Sequence, residues 1–159
     1  MARASSVAKR QERLSVRRDL RTVRDVVRRV RNSDRLATLC LSGRQTPEEA
    51  LDYVERRASS RGSVQMLVYL VPVTFDGQYA VPVDHGESSM IAVTRDVSLR
   101  GIGFTHDEPL HGDHAIVTFD LLDDRPVSLL LDVRWRNLRR GSAYFSGGRF
   151  LAISETPDF

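Results

Sequence analysis

The feature that most constrains the fold is a series of short apolar stretches, rich in β-branched residues, that runs from about residue 62 to the end of the chain. Turn residues such as Asp76-Gly77 separate these stretches. β-Branched residues favour extended backbone, and turn signals at short intervals favour antiparallel neighbours. The pattern predicts strands over 64–75, 78–83, 90–95, 102–105, 114–122, 127–136 and 143–153.

The clearest alternation lies in the stretch 127–136, where apolar and mostly polar residues take turns. Side chains two apart in a strand share a face, so we expect one face of this strand to be buried. The predicted buried face consists of Val127, Leu129, Leu131, Val133 and Trp135. A sheet built from about six of these strands has exposed edges unless it closes. The predicted fold class is mainly β, a six-stranded antiparallel β-barrel preceded by N-terminal α-helices.

A helical periodicity replaces the strand pattern near the N-terminus. Between Ser15 and Arg31, apolar residues recur at steps of four and three, which predicts a helix with one apolar seam. The seam residues are Val16, Leu20, Val23, Val27 and Val30. Such a seam is stable only when it is covered, either by the barrel or by the same helix of a second chain. A homodimer through the N-terminal helices is therefore one expectation.

Signals for helix ends divide the rest of this region. The cluster Asn32-Ser33-Asp34 predicts that the first helix ends or is capped there, and residues 36–41 predict a short helical piece. Thr46-Pro47 predicts the start of a second helix that runs to about Arg56. The predicted domains are a basic helical extension over 1–55, a barrel over 56–153 and a flexible tail over 154–159.

Charge is distributed unevenly along the chain. Residues 1–35 contain 12 basic and 4 acidic side chains, whereas the remainder contains 12 basic and 17 acidic. A cationic segment attracts acidic partners, so nucleic-acid binding by this arm stays open. The arm has no aromatic side chain for base stacking and no recognisable docking motif, which argues against a dedicated nucleic-acid reader.

The sequence also predicts a compartment. No apolar stretch is long enough for a membrane span, and the first residues lack the apolar run of a secretory signal. Cys40 is the single cysteine and cannot form an internal disulfide. We expect a cytoplasmic protein.

Two short motifs are not needed to build a barrel. The first is Arg-x-x-x-Arg, formed by Arg57 and Arg61 and preceded by Arg56. The second is Asp-x-Ser-x-x-Gly, which begins at Asp96 and ends in a turn at Gly101. Each motif alone is ordinary, since arginines often lie on solvated helix ends and Asp and Ser often stabilise turns.

In this order, the two motifs resemble those of the PilZ domain family, whose members are receptors for the bacterial second messenger cyclic di-GMP. Val133-Arg134-Trp135 and Gly147-Gly148-Arg149-Phe150 resemble two further strands of that family. The resemblance covers about residues 56–153. One departure is the 34 residues between Arg61 and Asp96, where 78–89 has the character of an insertion.

The resemblance implies that cyclic di-GMP lies on the barrel exterior. Its implied ligand residues are Arg56, Arg57, Arg61, Asp96, Ser98 and Gly101. Guanidinium groups bind phosphates and the Hoogsteen edge of guanine, a carboxylate accepts guanine N–H groups, and a serine hydroxyl donates to phosphate. Glycine permits close approach of the backbone. The arginine segment is expected to fold over the ligand and to move the N-terminal helices, which transmits the signal to an unknown downstream protein.

Other function classes receive less support from the sequence. A ligand-independent adaptor on the same fold, which contacts a partner through the N-terminal helices, is the alternative. His106, His111 and His114 crowd one connection, but their spacing matches no closed zinc pattern, so we predict no metal site and no cofactor. No catalytic set of serine, cysteine or paired carboxylates is recognisable, and we predict no enzymatic activity.

Overall fold

The computed structural model describes residues 13–42, 62–63, 65–121, 125–138 and 143–157, without the side chains of 33–42, 62–63 and 138. One helix, α1, spans Leu20–Ser42. The strands are β1 Leu14–Arg17, β2 Gly62–Ser63, β3 Leu67–Phe75, β4 Tyr79–Pro82, β5 Met90–Val97, β6 Gly101–His106, β7 His114–Phe119, β8 Val127–Leu138 and β9 Tyr144–Ser154. A turn over Val83–Gly86, in which Asp84 and His85 have positive φ angles of 52° and 55°, follows β4.

Six of these strands close into an antiparallel barrel, as the strand pattern predicts. Their order around the barrel is β3-β7-β8-β9-β6-β5, and pairing of β5 with β3 completes the circle. Large side chains fill the interior, among them Phe104, Phe119, Leu129 and Leu131, which are fully buried. Closure removes two sheet edges that would otherwise pair with other chains. The predicted fold class is confirmed.

Helix α1 packs most of its apolar seam against the barrel, whereas the seam residue Leu20, at the start of the helix, is exposed. Val23, Val27 and Val30 are almost completely buried, in the same continuous cluster as the interior side chains of the barrel. The helix therefore covers an end of the barrel. Asp19 caps its first turn, because its carboxylate accepts hydrogen bonds from the hydroxyl and the backbone N–H of Thr22 at 2.6 and 3.1 Å. These bonds lower the pKa of Asp19.

The predicted bounds of the first helix were wrong at both ends. Residues 14–17 form β1, which pairs with β4 and with β9, because Leu14 is buried against the outer surface of the barrel. The helix then continues through Asn32-Ser33-Asp34 to Ser42 and absorbs the short piece predicted at 36–41. Polar residues such as these cost a helix interior only about 0.5 kcal/mol each, so they do not end it by themselves. The second helix predicted to reach Arg56 lies outside the described residues.

A second apolar layer covers part of the barrel exterior. Outward-facing residues of β3, β7, β8 and β9 pack beneath β1 and β4. The buried members of this layer are Leu14, Val71, Val73, Ala80, Ile116, Leu130 and Ala152. The segment 78–89, which has the character of an insertion, thus supplies β4 to the cover.

Residues 154–157, part of the tail predicted for 154–159, contact the barrel. Ser154 belongs to β9, and the backbone N–H of Glu155 donates to the Ser15 carbonyl at 3.1 Å. The Thr156 hydroxyl accepts a hydrogen bond from Ser128 at 3.0 Å, and Pro157 is buried. These contacts hold the end of β9 to β1 and β8.

Candidate functional site

An open groove of about 830 Å³ lies on the barrel exterior, where the turn between β5 and β6 faces β8 and β9. One wall contains Asp96, Ser98 and Gly101, the three residues of the second motif that the sequence singled out. The other wall contains Trp135, from β8, and Phe145, from β9. The size falls within the roughly 300–1,000 Å³ that is usual for small-molecule sites. The structure therefore brings the second motif together with an aromatic wall.

A β-bulge presents two consecutive side chains to this groove. The register between β5 and β6 shifts between Thr94 and Asp96, so Arg95 is the extra residue. Regular alternation would place Arg95 and Asp96 on opposite faces, whereas both are exposed and both line the groove. The carboxylate of Asp96 lies over Gly103, where a Cβ would come within 3.2 Å of both carboxylate oxygens. Gly103 thus leaves room for the position that Asp96 occupies.

Ser98 builds the turn that carries the motif. Its Oγ accepts hydrogen bonds from the backbone N–H groups of Arg100 and Gly101 at 3.3 and 3.2 Å. The hydroxyl also approaches the Gly101 carbonyl at 3.4 Å, a weak contact that a better acceptor can replace. Ser98 therefore stabilises the turn through its hydroxyl oxygen. Its hydroxyl proton remains available to donate a hydrogen bond to a ligand.

Gly101 is required by the approach of β9. A Cβ at this position would lie 2.2 Å from the carbonyl oxygen of Gly148, which is backbone and cannot rotate away. Gly101 pairs with Arg149 in the ladder between β6 and β9. Gly101 thus permits the close approach of strands β6 and β9.

A second bulge overturns the predicted orientation of Trp135. The register between β8 and β9 shifts between Val133 and Trp135, so Arg134 is the extra residue. Val133 faces the core as expected, but Trp135 is 38% exposed and points into the groove. Its ring lies on Gly147, where a Cβ would come within 2.1 Å of the indole. The inserted residue reverses the alternation, which is why Trp135 leaves the buried face.

Arginines dominate the charge of the groove. Its lining contains Arg95, Arg100, Arg134 and Arg149, against the single carboxylate of Asp96. Arg134 forms an ion pair with Asp132 at 2.8 Å, and the guanidinium of Arg95 lies 5.8 Å from the ring centroid of Phe145. A groove with this lining attracts anions that also carry flat rings.

These four arginines and Trp135 were not predicted to be site residues. Arg134, Trp135 and Arg149 did belong to the strand patterns that resemble the family. Their place in the groove depends on the bulge in β8 and on the pairing of β9. The strand patterns therefore singled out these residues, but they did not indicate on which face of the barrel the side chains lie.

Arg56, Arg57 and Arg61 lie outside the described residues. The chain resumes one residue after Arg61, at Gly62, which pairs with Val97. Ser63 pairs with Asp96 in the same short ladder. The backbone next to the first motif is thus adjacent to the backbone of the second, although 34 residues separate the two motifs in sequence.

The histidines of the crowded connection take separate structural roles. His106 is buried, where one ring nitrogen bonds the Glu108 carbonyl and the other bonds the Ser146 hydroxyl. His114 packs against the edge of Phe75 with ring centroids 5.5 Å apart. In the part of the chain that the structure describes, no three potential metal ligands cluster.

Comparison with known proteins points to one family. Within the described residues, no helix has both the length and the apolarity of a membrane span. No curated protein and no solved structure gives a significant match. A model of the PilZ domain matches residues 55–157, which include both motifs and the whole barrel. PilZ domains are typically non-catalytic binding domains that act as cyclic di-GMP receptors or adaptors. With both motifs, the barrel and this match in agreement, the chain belongs to the PilZ domain family.

Proposed function

We propose that the protein is a receptor for cyclic di-GMP, which binds in the groove between the β5–β6 turn and strands β8 and β9. Asp96, Ser98 and Gly101 form one wall of the site, and Arg56, Arg57 and Arg61 close over the ligand from the other side. The protein binds this ligand and catalyses no reaction on it. The single observation that supports the proposal most is the meeting of the Asp96–Gly101 turn, an arginine-rich lining and an exposed indole in one groove.

The chemistry of the groove fits a cyclic dinucleotide. Two phosphates need cations, and Arg100 and Arg149, which line the groove, supply them. Two guanines need flat apolar surfaces and hydrogen-bond partners at their edges. Trp135 offers the surface, and the carboxylate of Asp96 accepts guanine N–H groups. A simple inorganic anion would leave the aromatic wall unused.

The short segment between the first motif and Gly62 supports a contribution of that motif to ligand binding. Gly62 is fixed beside Val97, and Arg57 lies five residues before it. An extended chain covers at most about 3.6 Å per residue, so Arg57 lies within about 18 Å of Gly62. Arg61 is the immediate neighbour of this anchored residue. The first motif is therefore within reach of a ligand in the groove, and Arg56 is one residue farther away.

A neighbouring groove offers a route from the ligand to helix α1. Arg100 and Arg149 also line this second groove, of about 600 Å³, together with Arg18 and Arg24. Four cations around one groove repel each other, and a bound phosphate that pairs with Arg100 and Arg149 lowers that repulsion. Ligand binding then brings the beginning of α1 closer to β9. We propose this shift, with the closing of the arginine segment, as the signal that a downstream protein detects.

Isothermal titration calorimetry with cyclic di-GMP tests the receptor proposal. We expect saturable binding by the wild-type protein and none with GTP or cyclic GMP. The double variant Arg57→Ala/Arg61→Ala is expected to lose binding. Trp135→Ala is expected to weaken it about 5- to 150-fold, because stacking of a base on an aromatic ring contributes about 1–3 kcal/mol. The stoichiometry reports whether Arg56 holds a second ligand molecule.

Arg28→Ala is the matched control. Arg28 is an exposed arginine of α1 that pairs with Asp25 at 3.3 Å, away from both grooves. Its loss removes the same charge and should leave binding unchanged. If Arg28→Ala weakens binding as much as Arg57→Ala/Arg61→Ala does, the attraction is one of overall charge and the proposed site is wrong.

The adaptor without a ligand is the second candidate, and one observation favours it. Ser98 and Gly101 both have structural roles, Ser98 in the turn and Gly101 in the close approach of β6 and β9. A domain that had lost its ligand would keep both residues for stability. A wild-type protein that binds no cyclic di-GMP, together with capture of a partner by residues 1–55, would support this alternative.

A further inference from the structure

An exposed apolar patch lies on the barrel exterior, on strands other than those that carry Trp135 and Phe145. It consists of Leu67 and Tyr69 on β3 and Ile91 and Val93 on β5, which are 64, 40, 58 and 40% exposed. Leu67 pairs directly with Val93, and Tyr69 pairs with Ile91. Residues two apart on a strand share a face, so the four side chains form a compact two-by-two array.

The array continues an apolar face that the protein covers elsewhere. Val71 and Val73 follow Tyr69 on the same face of β3, and both are buried in the layer under β1 and β4. The cover ends before Tyr69. The four exposed side chains form a contiguous apolar patch, and contiguous patches of a few hundred Å² often mark a functional surface on small proteins.

Charges of opposite sign lie at the two ends of the patch. Arg95 follows Val93 on the same face of β5, and its exposed side chain lies beside Phe145. Asp107 and Glu108 lie at the other end, where they line a groove of about 510 Å³ with Tyr69 and Ile91. Ile91 and Arg95 are four residues apart, about 13 Å along the strand. The patch is therefore apolar in its centre, basic at one end and acidic at the other.

We propose that this patch is the interface with a second copy of the same chain. A two-fold axis through its centre brings the basic end of each copy against the acidic end of the other, so Arg95 faces Asp107 and Glu108 of its partner. The apolar centres then pack on each other as two sheet faces do. A surface that complements itself in this way fits a symmetric dimer better than it fits an unrelated acidic or basic partner.

The size of the patch sets the expected strength of the dimer. Stable interfaces bury at least about 600 Å² per partner, and an array of four apolar side chains with charged ends is small by that measure. We therefore expect a reversible dimer with a dissociation constant in the micromolar range or weaker. This dimer does not use the apolar seam of α1, which the barrel covers.

Sedimentation equilibrium of the full chain, from about 10 to about 500 µM, tests the proposal. We expect a concentration-dependent dimer in the wild type. Ile91→Thr/Val93→Thr keeps β-branched residues in β5 but removes apolar surface from both copies, and it should weaken the dimer at least about tenfold. Leu20→Thr removes an exposed apolar side chain of α1 outside the patch and is the matched control. Circular dichroism establishes that each variant is folded.

A charge exchange tests the geometry of the dimer. Arg95→Glu places like charges against each other and should weaken the dimer. Arg95→Glu combined with Asp107→Lys and Glu108→Lys reverses both ends and should restore it. A wild type that stays monomeric at every concentration overturns the proposal. A dimer that survives Ile91→Thr/Val93→Thr, or a charge exchange that fails to restore association, overturns it as well.

Discussion

At the scale of single residues, Gly101 and Gly103 on β6 differ in how strongly an added methyl group is expected to destabilise the protein. We predict that Gly101→Ala destabilises the protein by about 2–4 kcal/mol, because its Cβ would meet the backbone oxygen of Gly148 and force β6 from β9. Gly103→Ala meets only the side chains of Phe145 and Asp96, at 3.1–3.2 Å, and should cost less. Urea denaturation of both variants measures the difference. Equal stability of Gly101→Ala and the wild type would contradict the structural role of Gly101.

His106 makes the stability of the protein depend on pH. Burial lowers its pKa below 6.5, although the Glu108 carbonyl and the charge of Asp107 act in the opposite direction. Unfolded His106 takes up a proton near pH 6.5, whereas folded His106 takes it up only at lower pH. This contribution to stability is complete above about pH 7.5, and it decreases as the pH falls through 6.5 until the folded pKa is reached.

Thermal denaturation between pH 8 and pH 5 checks this prediction. His106→Gln should remove part of the decrease in melting temperature. His111 is exposed in the following connection, and His111→Gln should retain the decrease. If the two variants have the same pH profile, the decrease arises from other groups.

At the scale of elements, the packing of α1 on the barrel end is the contact most open to test. Val27 is completely buried, and Val27→Ala should destabilise the protein by about 2 kcal/mol through the cavity that it leaves. Leu20 is exposed on the same helix, so Leu20→Ala removes more side chain at little cost. Equilibrium denaturation that shows equal losses for the two variants would mean that α1 does not pack through this seam.

The elements also show which parts of the secondary structure could be predicted from the sequence and which could not. The seven stretches with β-branched residues became strands within a few residues of their predicted ends, because local pattern and burial agree there. β1 was missed since four residues are too few to show a period, and its pairing with β4 and β9 is a long-range contact. The helix boundary at Asn32 was misjudged because a possible cap is used only where other contacts end the helix.

At the scale of the whole molecule, the part of the candidate site that depends on local sequence was predicted. The part that depends on long-range strand pairing was missed. The turn from Asp96 to Gly101 was recognised because its residues are contiguous and its chemistry is local. Arg95 and Trp135 were missed as site residues because bulges in β5 and β8 decide which face they occupy, and an extra residue in a ladder is visible only when both strands are known. Barrel closure then brings these distant segments to one groove.

The position of Trp135 makes its intrinsic fluorescence a probe of the groove. It is the single tryptophan of the chain, so all indole emission originates in the groove. A partly hydrated indole emits at longer wavelength than one covered by a flat ring, and stacked guanine quenches it. A ligand that stacks on Trp135, as proposed for cyclic di-GMP, would therefore change the intensity and wavelength of emission from the unlabelled protein.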